Sequence, residues 1–109
     1  GESVVDPSAG VAHGVILMGG TTVGRGCEIG AGSRIDDSVI FDGVTIEPGA
    51  MVRNSIIAAG ATIGANARLV DCVIGEGAQI GARCELQGGM RVWPGVVIPD
   101  SGVRFSPDA

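Results

Sequence analysis

Asp37-Ser38-Val39-Ile40 recurs as Asn54-Ser55-Ile56-Ile57 and again as Asp71-Cys72-Val73-Ile74, each copy seventeen residues after the last. A unit this short cannot bury a core alone, so its copies must stack on one another. Working outward from it, aliphatic residues fall every six positions from Val5 through Val11, Leu17, Val23 and Ile29 to Ile35, and a step of five then reaches Ile40. Sixes resume through Ile46 and Val52, and further fives lead to Ile57 and Ile74. Three sixes shortened by one residue make the seventeen.

The other columns keep the same register. Three residues beyond the aliphatic position stand Gly20, Gly26, Gly32, Gly43, Gly49, Gly60, Asn66, Gly77, Gly89 and Gly95. Glycine and asparagine tolerate positive φ, so the chain turns sharply once per hexad. A small residue follows, as at Cys27, Ser33, Ala50, Ala61, Ala67, Ala78 and Cys84. The small and aliphatic residues flank one outward position, so period-two alternation points both inward. A turn every six residues fits neither a helix nor hairpins. It predicts an all-β, single-stranded parallel β-helix of about five to six triangular coils, with strands stacked roughly 4.8 Å apart.

The bulk numbers agree with one such domain. The 109 residues are 45% hydrophobic but only 3% aromatic, so Val, Ile, Leu and Ala must fill the core. The formal net charge is -5, carried against seven arginines and no lysine, which argues against nucleic-acid binding. No apolar run approaches membrane length and no leader is visible, so a cytoplasmic protein without membrane contact is expected. Cys27, Cys72 and Cys84 lack metal-ligand spacing and read as reduced core residues. The β-helix is expected over residues 1–103, with a tail over 104–109.

The pattern of aliphatic, small or acidic, any, Gly or Asn, small, any resembles the hexapeptide-repeat family over almost the whole chain. That resemblance implies a left-handed coil, although the general rule for parallel crossovers favours the right hand. Within that family, the seventeen-residue motif resembles sugar-nucleotide pyrophosphorylases. The final stretch, Val92-Trp93-Pro94-Gly95 and then Ile98-Pro99-Asp100-Ser101-Gly102-Val103-Arg104-Phe105, is similar to the C-terminal domain of bacterial mannose-1-phosphate guanylyltransferases. The resemblance implies a parent enzyme that makes GDP-mannose from GTP and mannose-1-phosphate, with Mg²⁺ in a catalytic domain absent from this chain. None of that domain's motifs occurs here, so the resemblance transfers no catalytic, cofactor or metal residue.

The alternative within the same fold is a trimeric hexapeptide acyltransferase using an acyl-CoA donor. Acyl transfer needs a general base, and the single histidine, His13, is the one candidate. His13 falls at a corner of the first coil with no inserted loop beside it, and reads as an exposed turn residue. A zinc site of the carbonic anhydrase kind needs three histidines and is excluded. Glycine-rich pieces such as Gly24-Arg25-Gly26 keep step with the corners and open no helix, so they lack the mechanism of an anion-binding loop. Arg53, seventeen residues after Asp36, is expected directly one coil beyond it as a surface ion pair.

The shortened corner sorts the outward residues. With Asp37, Asn54 and Asp71 at the left-handed corner, Ser38, Ser55 and Cys72 turn inward. One side then presents Val39, Phe41, Ile56, Ala58, Val73, Gly75 and Trp93, nearly all apolar. The opposite parity would bury the valines and Ile56 and leave the serines at the corner. The second side shows Glu28, Thr45, Glu47, Thr62 and Gln79; the third shows Arg34, Asp36, Arg53, Arg68 and Glu85. Both of these read as solvated. The apolar side is the expected interaction face, packing on the catalytic domain or on identical subunits in a homo-oligomer.

Overall fold

A computed structural model describes residues 2–104 and shows a parallel β-helix. The first side stacks Val4–Val5, Thr22–Val23, Val39–Ile40, Ile56–Ile57, Val73–Ile74 and Arg91–Val92. The second stacks Gly10–Val11, Glu28–Ile29, Thr45–Ile46, Thr62–Ile63, Gln79–Ile80 and Val97–Ile98. The third stacks Ile16–Met18, Arg34–Asp36, Met51–Arg53, Arg68–Val70 and Glu85–Leu86. Every pairing is parallel and joins a strand to its counterpart one coil away, with Ile40, Ile57 and Ile74 in direct register. Of the expected 104–109 tail, residues 105–109 lie outside the described residues.

The aliphatic columns form the core. Ile40, Ile46, Val52, Ile57, Ile63, Leu69 and Ile74 are buried, and the small residues Ala50, Ala61, Ala67 and Ala78 fill the space beside them. Removing each large side chain from water contributes about 1.5–3 kcal/mol. Every strand is only two or three residues long, so these ladders, not strand length, hold the stack together. At the first coil the ladder is less covered, and Val11 is exposed.

The corners follow the sequence pattern, with one correction. Asp37, Asn54 and Asp71 adopt positive φ of 48°, 48° and 58°, as the shortened corner requires. In the first coil the left-handed residue is Gly19, φ 65°, rather than Gly20. Gly20 is the extra residue of an eighteen-residue coil, because Val4 and Val5 pair with Thr22 and Val23, whereas Thr22 and Val23 pair with Val39 and Ile40 after the shorter step. Arg83 and Ser101 also take left-handed corners, at φ 63° and 56°, where no Gly or Asn marks the place. Gly75 has a different reason to be glycine: a Cβ there would meet the Trp93–Pro94 backbone of the next coil, 2.5 Å from Pro94 N.

Candidate interaction face

The parity of the shortened corner is settled by what lies inside it. Ser38, Ser55 and Cys72 are buried, and their side chains bond along the prism axis. Ser38 Oγ accepts from Ser55 N at 3.1 Å, and Ser55 Oγ accepts from Cys72 N at 3.1 Å. Each hydroxyl also donates within its own coil, Ser38 Oγ to Asp36 O and Ser55 Oγ to Arg53 O, both at 2.8 Å. Thr21 Oγ1, accepting from Ser38 N at 3.3 Å, is the first rung. These buried polar groups therefore replace water partners with one another. The arrangement with serines outside is excluded.

With the serines inward, the apolar residues face out. Val39, Ile56 and Val73 stand one above another with 37%, 43% and 37% of their surface exposed. Beside them Phe41 is 48% and Trp93 76% exposed, while Ala58 and Gly75 are half-buried. Thr22 and Arg91 bound the column at its two ends. At the corner alongside, Asn54 Nδ2 donates to Asp71 Oδ1 at 2.7 Å. An amide between Asp37 and Asp71 keeps two carboxylates from stacking directly.

The third side differs from expectation in two ways. Asp36 and Arg53 are in register, but Asp36 pairs instead with Arg34 on its own strand, Nε to Oδ2 at 3.1 Å. Two residues apart on one face, Arg34 reaches the carboxylate without crossing a coil. Ile16 and Met18 add exposed apolar surface at the first-coil end, which the sequence analysis did not single out. Parity with Leu17 is the signal that would have found them.

His13 lies exposed in a turn, its carbonyl accepting from Gly32 N at 3.2 Å. Among the described residues, no three His, Cys, Asp or Glu side chains form a group able to hold a metal ion. The three cysteines are free and buried, and burial pushes the thiols of Cys27 and Cys72 above their ordinary value. Among the described residues no helix is long and apolar enough to cross a membrane.

The stacked triangular coils define the class: a left-handed hexapeptide-repeat β-helix. Similar solved structures are the acetyltransferase domain of PglB from Neisseria gonorrhoeae (TM-score 0.78, 14% identity, 94% of this chain and 53% of that one) and the GDP-perosamine N-acetyltransferase of Caulobacter crescentus (TM-score 0.64, 20% identity, 97% and 57%). At those identities the likeness is one of fold. The chain belongs to the family described as the GMPPB C-terminal domain, which matches residues 1–104. It is 66% identical over 108 residues to the mannose-1-phosphate guanylyltransferase of Mycobacterium tuberculosis, covering 99% of this chain and 30% of that protein. A 36-residue stretch is 56% identical to the bifunctional protein GlmU of Limosilactobacillus reuteri, 33% of this chain and 8% of that protein. The chain thus spans less than a third of the length of either curated relative.

Proposed function

We propose that this chain is the non-catalytic assembly domain of a cytoplasmic nucleotidylyltransferase that joins GTP and mannose-1-phosphate into GDP-mannose and releases pyrophosphate. The observation that carries the proposal is the 66% identity to the mycobacterial guanylyltransferase along nearly the whole chain. The nucleotide, the sugar phosphate and Mg²⁺ belong, in this reading, to the parent's catalytic portion. In the same reading this chain carries no chemical step of its own.

The part played by this domain is contact. The column of Val39, Ile56 and Val73, widened by Phe41 and Trp93, leaves an apolar patch that the fold itself does not cover. A patch several coils high reaches about 300 Å² or more, the range in which exposed apolar surface marks an interaction site. It packs on the parent's catalytic domain or on an identical subunit.

The full-length protein and this chain are assayed side by side with GTP, mannose-1-phosphate and Mg²⁺. Only the full-length protein should make GDP-mannose. Acetyl transfer from acetyl-CoA by this chain would overturn the reading in favour of an acyltransferase. For the contact, Ile56→Glu in the full-length enzyme should lower its mass in solution or loosen its domains; an unchanged, well-folded assembly sinks the proposed face.

A further inference from the structure

The third side carries a charge imbalance that folding does not use. The chain has a net charge of -5, yet this side gathers Arg34, Arg53, Arg68 and Arg104 against Asp36 and Glu85. Both acids already have a cation: Asp36 holds Arg34 at 3.1 Å, and Glu85 lies 3.7 Å from Arg104. Arg53 and Arg68 are exposed, and their guanidinium groups have no hydrogen-bond or ion-pair partner among the described residues. This holds although Asp36 is the register neighbour of Arg53 and Glu85 that of Arg68. Asp36 even keeps Oδ1 buried and unpaired without drawing Arg53 to it.

The two free guanidiniums sit on adjacent strands, offset by two residues, since Arg68 pairs with Met51 and Arg53 with Val70. Diagonal neighbours of this kind lie roughly 7–8 Å apart at the backbone, within reach of long side chains. With Arg34, Asp36 and the half-buried Met51 they line an open groove of about 400 Å³. That size suits a small molecule, whereas a stable protein interface buries about 800 Å² on each partner. Guanidinium forks match phosphate oxygens two at a time. Two forks from neighbouring strands can each take one end of a linked phosphate pair, where a single carboxylate would fill only one.

The geometry points to a binding site for a diphosphate-bearing anion in the Arg53–Arg68 groove. The diphosphate can be free pyrophosphate or part of a nucleotide, and the site stands whatever reaction the parent performs. Calorimetric titration of the chain with inorganic pyrophosphate, and separately with GDP, at about 0.1 M ionic strength tests it. Wild type should saturate at one ligand per chain. Replacing both residues, Arg53→Gln with Arg68→Gln, should weaken binding about tenfold or more, as the loss of paired charge-assisted bonds requires. The control pair Arg25→Gln with Arg91→Gln, on other parts of the prism, should stay within about twofold, since distant charges are largely screened. Circular dichroism confirms the fold of each variant, and each single replacement is titrated if the double one unfolds. Equal affinity for both probes assigns the shared diphosphate; tighter GDP adds a nucleoside contact to it. No saturation, equal loss in the control pair, or binding of a glutamate-rich peptide without pyrophosphate overturns the proposal.

Discussion

The corner that leads from the third side to the first is built in two ways within one molecule. In the middle coils it runs Asp37-Ser38, Asn54-Ser55 and Asp71-Cys72; in the end coils it runs Gly19-Gly20-Thr21 and Gly88-Gly89-Met90. The glycine corners use a residue more and reach left-handed φ, 65° at Gly19 and 70° and 83° at Gly88 and Gly89, at little steric cost. The shorter corners place Asp or Asn in that strained region and offset it with side-chain bonds on both faces. Inside runs the ladder from Thr21 to Cys72; outside, Asn54 bridges to Asp71. A tight corner is therefore a polar device set into an aliphatic prism, and an end corner turns on glycine instead.

The largest effect should come from breaking the inner ladder. Ser55→Ala leaves Cys72 N buried without its 3.1 Å acceptor, while Arg53 O keeps its bond from Asp71 N. A loss of about 1–3 kcal/mol is expected in urea denaturation; a change near zero would mean the rungs do not hold the corner. The glycine corner should respond unevenly. Gly19→Ala adds a Cβ at positive φ against the Asp37 carboxylate and should cost about 1–2 kcal/mol. Gly20→Ala, with open space around it, should stay within about 0.5 kcal/mol. Equal costs at the two positions would erase the distinction drawn between them.

Asn54→Asp tests the outer face by stacking a third carboxylate between Asp37 and Asp71. A loss of about 0.5–1 kcal/mol at low salt, shrinking toward zero in 1 M salt, is expected. The smallest effect concerns the buried thiols. Burial holds the thiols of Cys27 and Cys72 protonated above their ordinary value. Their contribution is whole below the unfolded thiol's pKa and is lost as pH rises through the folded one. Urea midpoints should therefore fall at alkaline pH, and fall less in Cys72→Ser. A midpoint equally steep in both proteins would remove the thiols from the account.

Much of this was legible before any coordinates. The hexad columns gave the parallel coils, and the seventeen-residue motif gave the inward serines and the outward Val39, Ile56 and Val73. Both rest on strict alternation, which a short strand cannot evade. The misplaced corner at Gly20 has a plain cause: two adjacent glycines carry no side chain to tell which one turns. Arg83 and Ser101 escaped notice because backbone closure, not residue preference, sets their φ. The partner of Asp36 was missed because register brings backbones together but leaves long side chains free to choose. Handedness lies outside the period altogether and came from resemblance.

The inner and outer ladders share one further property: both repeat with the same seventeen-residue step. Any duplication of that length would therefore enter the prism already in phase, with its hydroxyl, its left-handed corner and its aliphatic triad each landing on a matching neighbour. Growth by whole coils is thus open to this domain as a small genetic event, and the corners with a spare glycine show that the same cross-section also closes with one residue more. Length, in such a molecule, can drift over evolutionary time while the cross-section stays the same.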